Sequence, residues 1–138
     1  MTFWKLHLVA LTGLASGLAP STVTAQTPDC KEPQTQTEMN ICAGEDYKKA
    51  DAELNAEWPI ARDKMRELDS NLPDDLKGAA DALLAAQRAW IAYRDARCIS
   101  YGFIARGGTM EPMLVAGCKA GLTRERTKQL KELVDLEG

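Results

Sequence analysis

Histidine is almost absent: the 138 residues hold one, His7. It lies in an N-terminal stretch that reads as a cleaved leader, so the processed chain is expected to carry none. That excludes Ser-His and Cys-His nucleophilic sites and histidine metal centres together. A basic excess is missing too. Lys+Arg number 17 against 20 Asp+Glu, a formal net charge of −3, whereas a nucleic-acid binder shows a positive balance. No apolar–polar alternation is long enough for a strand. No apolar run approaches the roughly 20 residues of a membrane-spanning helix. The four cysteines, Cys30, Cys42, Cys98 and Cys118, are spaced too widely for the C-x2-C pairs of a zinc site or a redox C-x-x-C. No metal and no cofactor are expected. An enzyme is not expected either, because a small helical domain leaves little volume for a cleft.

What is present begins with an address. Met1 to Lys5 is a short positive start, Leu8 to Leu18 is apolar and uncharged, and Val23-Thr24-Ala25 offers small side chains to a signal peptidase. Residues 1–25 are therefore read as a secretory signal peptide and residues 26–138 as one domain, periplasmic or secreted. A lipid anchor would need a cysteine directly after the cut, but Cys30 follows Pro28-Asp29. The processed domain is thus expected to be free of the membrane. An even cysteine count in an oxidising compartment reads as two disulfides. The short loops, Cys30–Cys42 and Cys98–Cys118, are favoured. Folding the helices back on one another also levels Cys42 with Cys98, so Cys42–Cys98 with Cys30–Cys118 stays open.

Apolar residues fall at helical steps. Thr35-x-x-Glu38 has capping-box spacing, with Thr37 as a rival cap. From there Met39, Cys42, Tyr47, Ala50, Leu54, Trp58, Ala61, Met65 and Leu68 form one stripe. Pro59 removes a backbone bond within it, predicting a kink near Asn55–Trp58 or two shorter helices. A second helix is expected from Asp74 to Phe103, rich in alanine, with Leu83, Ala86, Trp90 and Tyr93 as its main stripe. Leu84 and Ile91 add a second stripe, which suggests the middle helix of the bundle. A third helix starts near Glu111-Pro112, weakened at Gly121 and re-capped at Thr123. The fold class is all-α: a small three-helix hairpin bundle stapled by two disulfides.

Two clusters stand out. Trp90-x-x-Tyr93-Arg94-Asp95 reads best as core and inter-helix ties, because aromatics at helical spacing are usually core. The same residue types also make binding hot spots. Arg126 falls near the apolar seam, where a buried guanidinium needs a partner, and Asp95 is the candidate. The turn Arg106-Gly107-Gly108-Thr109 is either a tight helix connection or a protruding loop that offers Arg106 and Thr109 to a partner.

Asp29-Cys30, Thr37-Glu38-Met39-Asn40-x-Cys42-Ala43 and Ala50-Asp51-x-Glu53-Leu54-Asn55 resemble the first half of the LprI-type lysozyme inhibitor N-terminal domain family. Ala86-Gln87-Arg88-Ala89-Trp90-Ile91-x-Tyr93-Arg94-Asp95-x-x-Cys98 resembles its second block. Gly107-Gly108-Thr109-Met110, Cys118 and Leu122-Thr123-x-x-Arg126-Thr127-x-x-Leu130 resemble its third. The resemblance implies an exported bacterial protein that inhibits lysozyme, a protein partner, without catalysis of its own. Two features depart from it: the lipidation cysteine is missing, and Pro59 interrupts a smooth helix. The alternative from another class is a non-catalytic envelope module that binds a bacterial protein or peptide. For an inhibitor, Arg106 on the turn would face the acidic lysozyme cleft. The rival contact is a helix face carrying Glu53 and Glu57, which would meet basic lysozyme surface outside the cleft.

Overall fold

The computed structural model describes residues 27–135, so the signal-peptide reading of residues 1–25 lies outside the described residues. Three helices follow in order: α1 (Gln36–Ser70), α2 (Ala79–Gly102) and α3 (Glu111–Val134), with single 3-10 turns at Asp74–Leu76 and Phe103–Ala105. No strand occurs among the described residues. The fold is an all-helical bundle held by two disulfides, Cys30–Cys42 and Cys98–Cys118, with Cα separations of 5.4 and 5.5 Å. The short-loop pairing is therefore the one formed, and Cys42–Cys98 is set aside.

Thr35 caps α1. Its hydroxyl accepts from the Glu38 amide at 3.2 Å, and the Glu38 carboxylate accepts from the Thr35 amide at 2.9 Å, closing the capping box. Those donated backbone bonds, from Gln34 first and then Thr35, hold the Glu38 carboxyl below its usual value. Pro59 does not split the helix, which runs unbroken from Gln36 to Ser70. Both Pro59 and Asn55, the residue whose carbonyl loses its helical donor, are exposed. Water can satisfy that carbonyl, so the lost bond is tolerated.

The second helix starts later than its sequence suggests. Asp74–Leu76 forms a separate 3-10 turn, and Gly78 adopts φ 143° before α2 begins. Gly78 has no side chain with which to cap. Asp69, from the last turn of α1, does it instead: its carboxylate accepts from the amides of Gly78 and Ala79 at 2.8 Å each and of Ala80 at 3.0 Å. One side chain thus satisfies orphan donors of the next helix and fixes the turn between them.

Leu54, Ala61 and Met65 of α1, Leu83 of α2 and Leu130 of α3 form the buried apolar cluster. Trp58, Trp90, Leu133 and Val134 pack on it. These residues lie toward one end of the bundle, and the disulfides secure the other. α2, expected in the middle of the bundle, is not its central helix. α1 and α3 share the most extensive interface, and α2 packs on both more lightly. Side-chain size explains this. The buried positions of α1 and α3 include Ala50, Ala61, Ala120, Thr123 and Thr127, which let two helices approach, whereas α2 buries Gln87 and Arg94. Ile91, expected to help form a second α2 stripe, is exposed. Gly121 does not interrupt α3, and Thr123 is a fully buried interior residue, not a new cap.

Candidate functional site

Arg94 is 6% exposed, and the bundle is built around its guanidinium. Nε donates to Asp95 Oδ1 at 3.0 Å, and Nη1 reaches Asp51 Oδ1 of α1 at 3.5 Å and the Thr123 hydroxyl of α3 at 3.4 Å. The rings of Trp90 and Tyr47 lie at 5.0 and 5.4 Å. One side chain on α2 therefore ties to both other helices. Lys119 joins it, bridging Asp95 at 3.2 Å beside the Tyr47 ring. Burial opposes ionisation of Asp95, but the bonds from Arg94 and Lys119 outweigh it and hold its carboxyl below the usual range. A buried charge needs such compensation.

Two expectations for this cluster are corrected. Tyr93, placed in the core stripe, is 56% exposed. The buried positions of α2 follow Leu83, Gln87, Arg94, Cys98 and Gly102, so the long polar Arg94 displaces Tyr93 from the inner face. Arg126 does not pair with Asp95. Its Nε donates to Gln87 Oε1 at 2.9 Å and its Nη1 to Gln129 Oε1 at 3.1 Å, while Nη2 is buried without a partner. Burial lowers the Arg126 pKa accordingly. Asp95 is already engaged by Arg94 and Lys119, about two helical turns away.

The turn between α2 and α3 is tightly organised. Gly107 takes φ 77°, a conformation that favours glycine. Its amide donates to Glu111 Oε2 at 2.8 Å, and Arg106 Nη1 pairs with Glu111 Oε1 at 2.6 Å. These two contacts, the backbone one first, lower the Glu111 pKa. Arg106 also lies over the Phe103 ring at 4.6 Å. The Thr109 carbonyl accepts from Asn40 Nδ2 at 2.9 Å, tying the turn to α1. Arg106 is thus neutralised within its own turn, although its side chain remains largely exposed. Beside it Phe103 and Ile104 are 57% and 72% exposed.

A groove of about 590 Å³ runs from this end of the bundle between α2 and α3. Arg97 and Tyr101 form one wall, with Met113, Leu114 and Leu122 opposite, and Gly117, Gly121 and Cys118, whose disulfide partner Cys98 on α2 is buried, complete it. Sequence reasoning missed it. The available signal was two glycines one turn apart inside a helix that needs neither for a turn. Among the described residues no cluster of His, Cys, Asp or Glu could hold a metal ion. No helix there is long and apolar enough to cross a membrane.

Glu53 and Glu57 lie in the middle of α1, exposed and half-buried respectively, several helical turns from Asn40, which ties α1 to the Arg106–Thr109 turn. No solved structure matches the chain. A relative from Rhizobium meliloti (strain 1021), described as the uncharacterized protein R02472, is 49% identical over 129 residues, spanning 91% of this chain and 93% of its own length. The family model described as "Lysozyme inhibitor LprI" matches residues 29–130, from the residue before the first cysteine to the last buried leucine of α3. With both disulfides, the Arg94 hub and the organised turn all inside that span, the chain belongs to the lysozyme inhibitor LprI family.

Proposed function

We propose that the domain works outside the cytoplasm as a proteinaceous inhibitor of lysozyme, binding the enzyme and blocking it without chemistry of its own. The observation that carries this reading is the family match over residues 29–130. Two disulfides with no free cysteine among the described residues fit an oxidising compartment. The proposed contact is the turn Arg106–Thr109 with Phe103 and Ile104 beside it. These residues form an exposed apolar tip with a guanidinium at its edge, held rigid by Glu111 and Asn40. A preorganised tip loses little entropy on entering a concave site. The direct test is lysis of bacterial cell walls by purified lysozyme with and without the domain. Dose-dependent slowing is expected, and lysis at the unchanged rate ends the reading. Arg106→Glu and the double variant Glu53→Lys/Glu57→Lys, each with its own melt, then separate a turn contact from a helix-face contact.

The second reading, an envelope module that binds a bacterial protein or peptide, is favoured by the open apolar groove between α2 and α3. It takes over if lysozyme is unaffected.

A further inference from the structure

Gly117 and Gly121 are one helical turn apart on α3, and a Cβ built on either meets nothing within 4 Å. Neither has a positive φ. Gly102 is different: a Cβ there would lie 2.6 Å from a Val115 methyl, so packing requires that glycine. Glycine inside a helix weakens it relative to alanine, and at 117 and 121 nothing in the fold requires it. What the two glycines do is open the groove, exposing backbone where side chains would stand.

The groove's other properties fit a peptide-like occupant. Its walls are apolar, and Arg97 is its one charged lining residue. Among the described residues Arg97 has no ion pair, unlike Arg94, Arg106 and Arg124, whose carboxylate partners are Asp51 and Asp95, Glu111 and Asp46. The Cys98–Cys118 disulfide crosses between the two walls and fixes their spacing. The cavity is therefore formed before any ligand arrives. At about 590 Å³ it has the size of a small-ligand site.

The geometry points to this groove as a docking site for a partner-protein segment that places an aliphatic or aromatic side chain over Gly117 and Gly121 and a carboxylate against Arg97. Charge complementarity selects the occupant: the unpaired Arg97 guanidinium at the edge of an apolar slot favours an acidic segment over a basic one, a local attraction that acts against the protein's net negative charge. The inference deepens the proposed function and rests on the reading that the domain acts by binding a protein. The groove adjoins the Arg106 turn, so both would belong to one contact surface.

Gly121→Leu fills the slot, and Arg97→Glu reverses its charge. Neither touches the apolar cluster, so Gly121→Leu should melt at or above the parent temperature through helix propensity and Arg97→Glu close to it, as exposed surface changes do. If the parent domain inhibits lysozyme, each change should weaken inhibition about tenfold or more, as loss of a central contact does. Retained inhibition in both folded variants overturns the docking site and leaves the inhibitor reading standing. If the parent does not inhibit, that reading fails and a second measurement decides the groove. A capped peptide with leucine beside glutamate, and its glutamine counterpart, are titrated while the amide resonances of Gly117 and Gly121 are followed. Saturable shifts with the glutamate peptide that are weaker with the glutamine peptide and lost in Gly121→Leu support the site. Unmoved resonances overturn it.

Discussion

Arg94 shows how a charged residue becomes structural. Its guanidinium lies within hydrogen-bonding reach of Asp51, Asp95 and Thr123 and against two rings, so removing it breaks links to both other helices. Arg94→Ala is expected to destabilise the domain by about 2–4 kcal/mol, near the lower part of the range for breaking a buried pair, because Asp51 and Asp95 are partly exposed and can be rehydrated. A denaturant melt measures it. Trp90, half-buried between this hub and the apolar cluster, should lose about 2–3 kcal/mol as Trp90→Ala, less than a fully buried aromatic loses. Tyr93→Ala should shift stability by no more than about 0.5 kcal/mol, as surface changes do. Equal shifts for Trp90 and Tyr93 would mean that the inner face of α2 is misassigned.

At the scale of the element, the helices are held as much by their neighbours as by themselves. α2 begins without a capping side chain of its own and borrows Asp69 from α1. The amides of Ala80, Gly78 and Ala79 hold the Asp69 carboxyl below its ordinary value of 3.8. Its folded pKa is therefore lower than its unfolded one. The stability it contributes is complete above the unfolded value and is lost as pH falls through the folded one. Asp69→Ala should lower the melting temperature at pH 7 and make the loss of stability below about pH 4 shallower than in the parent. Thermal melts at pH 7, 4 and 3 test this, and an identical acid response would refute it. The glycines give a second contrast. Gly121→Ala should stabilise by about 0.5–1 kcal/mol through helix propensity. Gly102→Ala should destabilise by about 1–3 kcal/mol, because the added methyl would overlap Val115.

Across the whole molecule, stability is distributed unevenly. Large apolar side chains gather where the second half of α1 meets α2 and α3. The opposite end, with the turn and the groove, exposes Ile99, Tyr101, Phe103 and Ile104 and relies on cross-links. Cys98–Cys118 closes a loop of sequence separation 20, for which the chain-entropy model gives about 3 kcal/mol. Cys98→Ala/Cys118→Ala should lose about that much and raise amide exchange in the last turns of α2 before the α1–α3 pair opens. Uniform exchange across all three helices would show that the bundle behaves as one cooperative unit despite its lopsided core.

The amino-acid sequence by itself determined the helical class, the hairpin-bundle architecture and the start of α3, and it narrowed the α1 cap to Thr35 or Thr37, of which the structure uses Thr35. These follow from local periodicity and punctuation, which need no knowledge of neighbours. The family blocks were legible for the same reason: they are ordered local patterns around four cysteines. Tertiary structure alone decided the rest. The stripe of α2 turned toward Arg94 because two carboxylates and a hydroxyl from three helices converge there, and no local pattern records that convergence. Pro59 left α1 whole because its face is wet. Arg106 found Glu111 across a turn, and Arg126 found Gln87 on another helix. Gly121 read as a weakness within one helix, and together with Gly117 it became a groove only when α2 supplied the opposite wall.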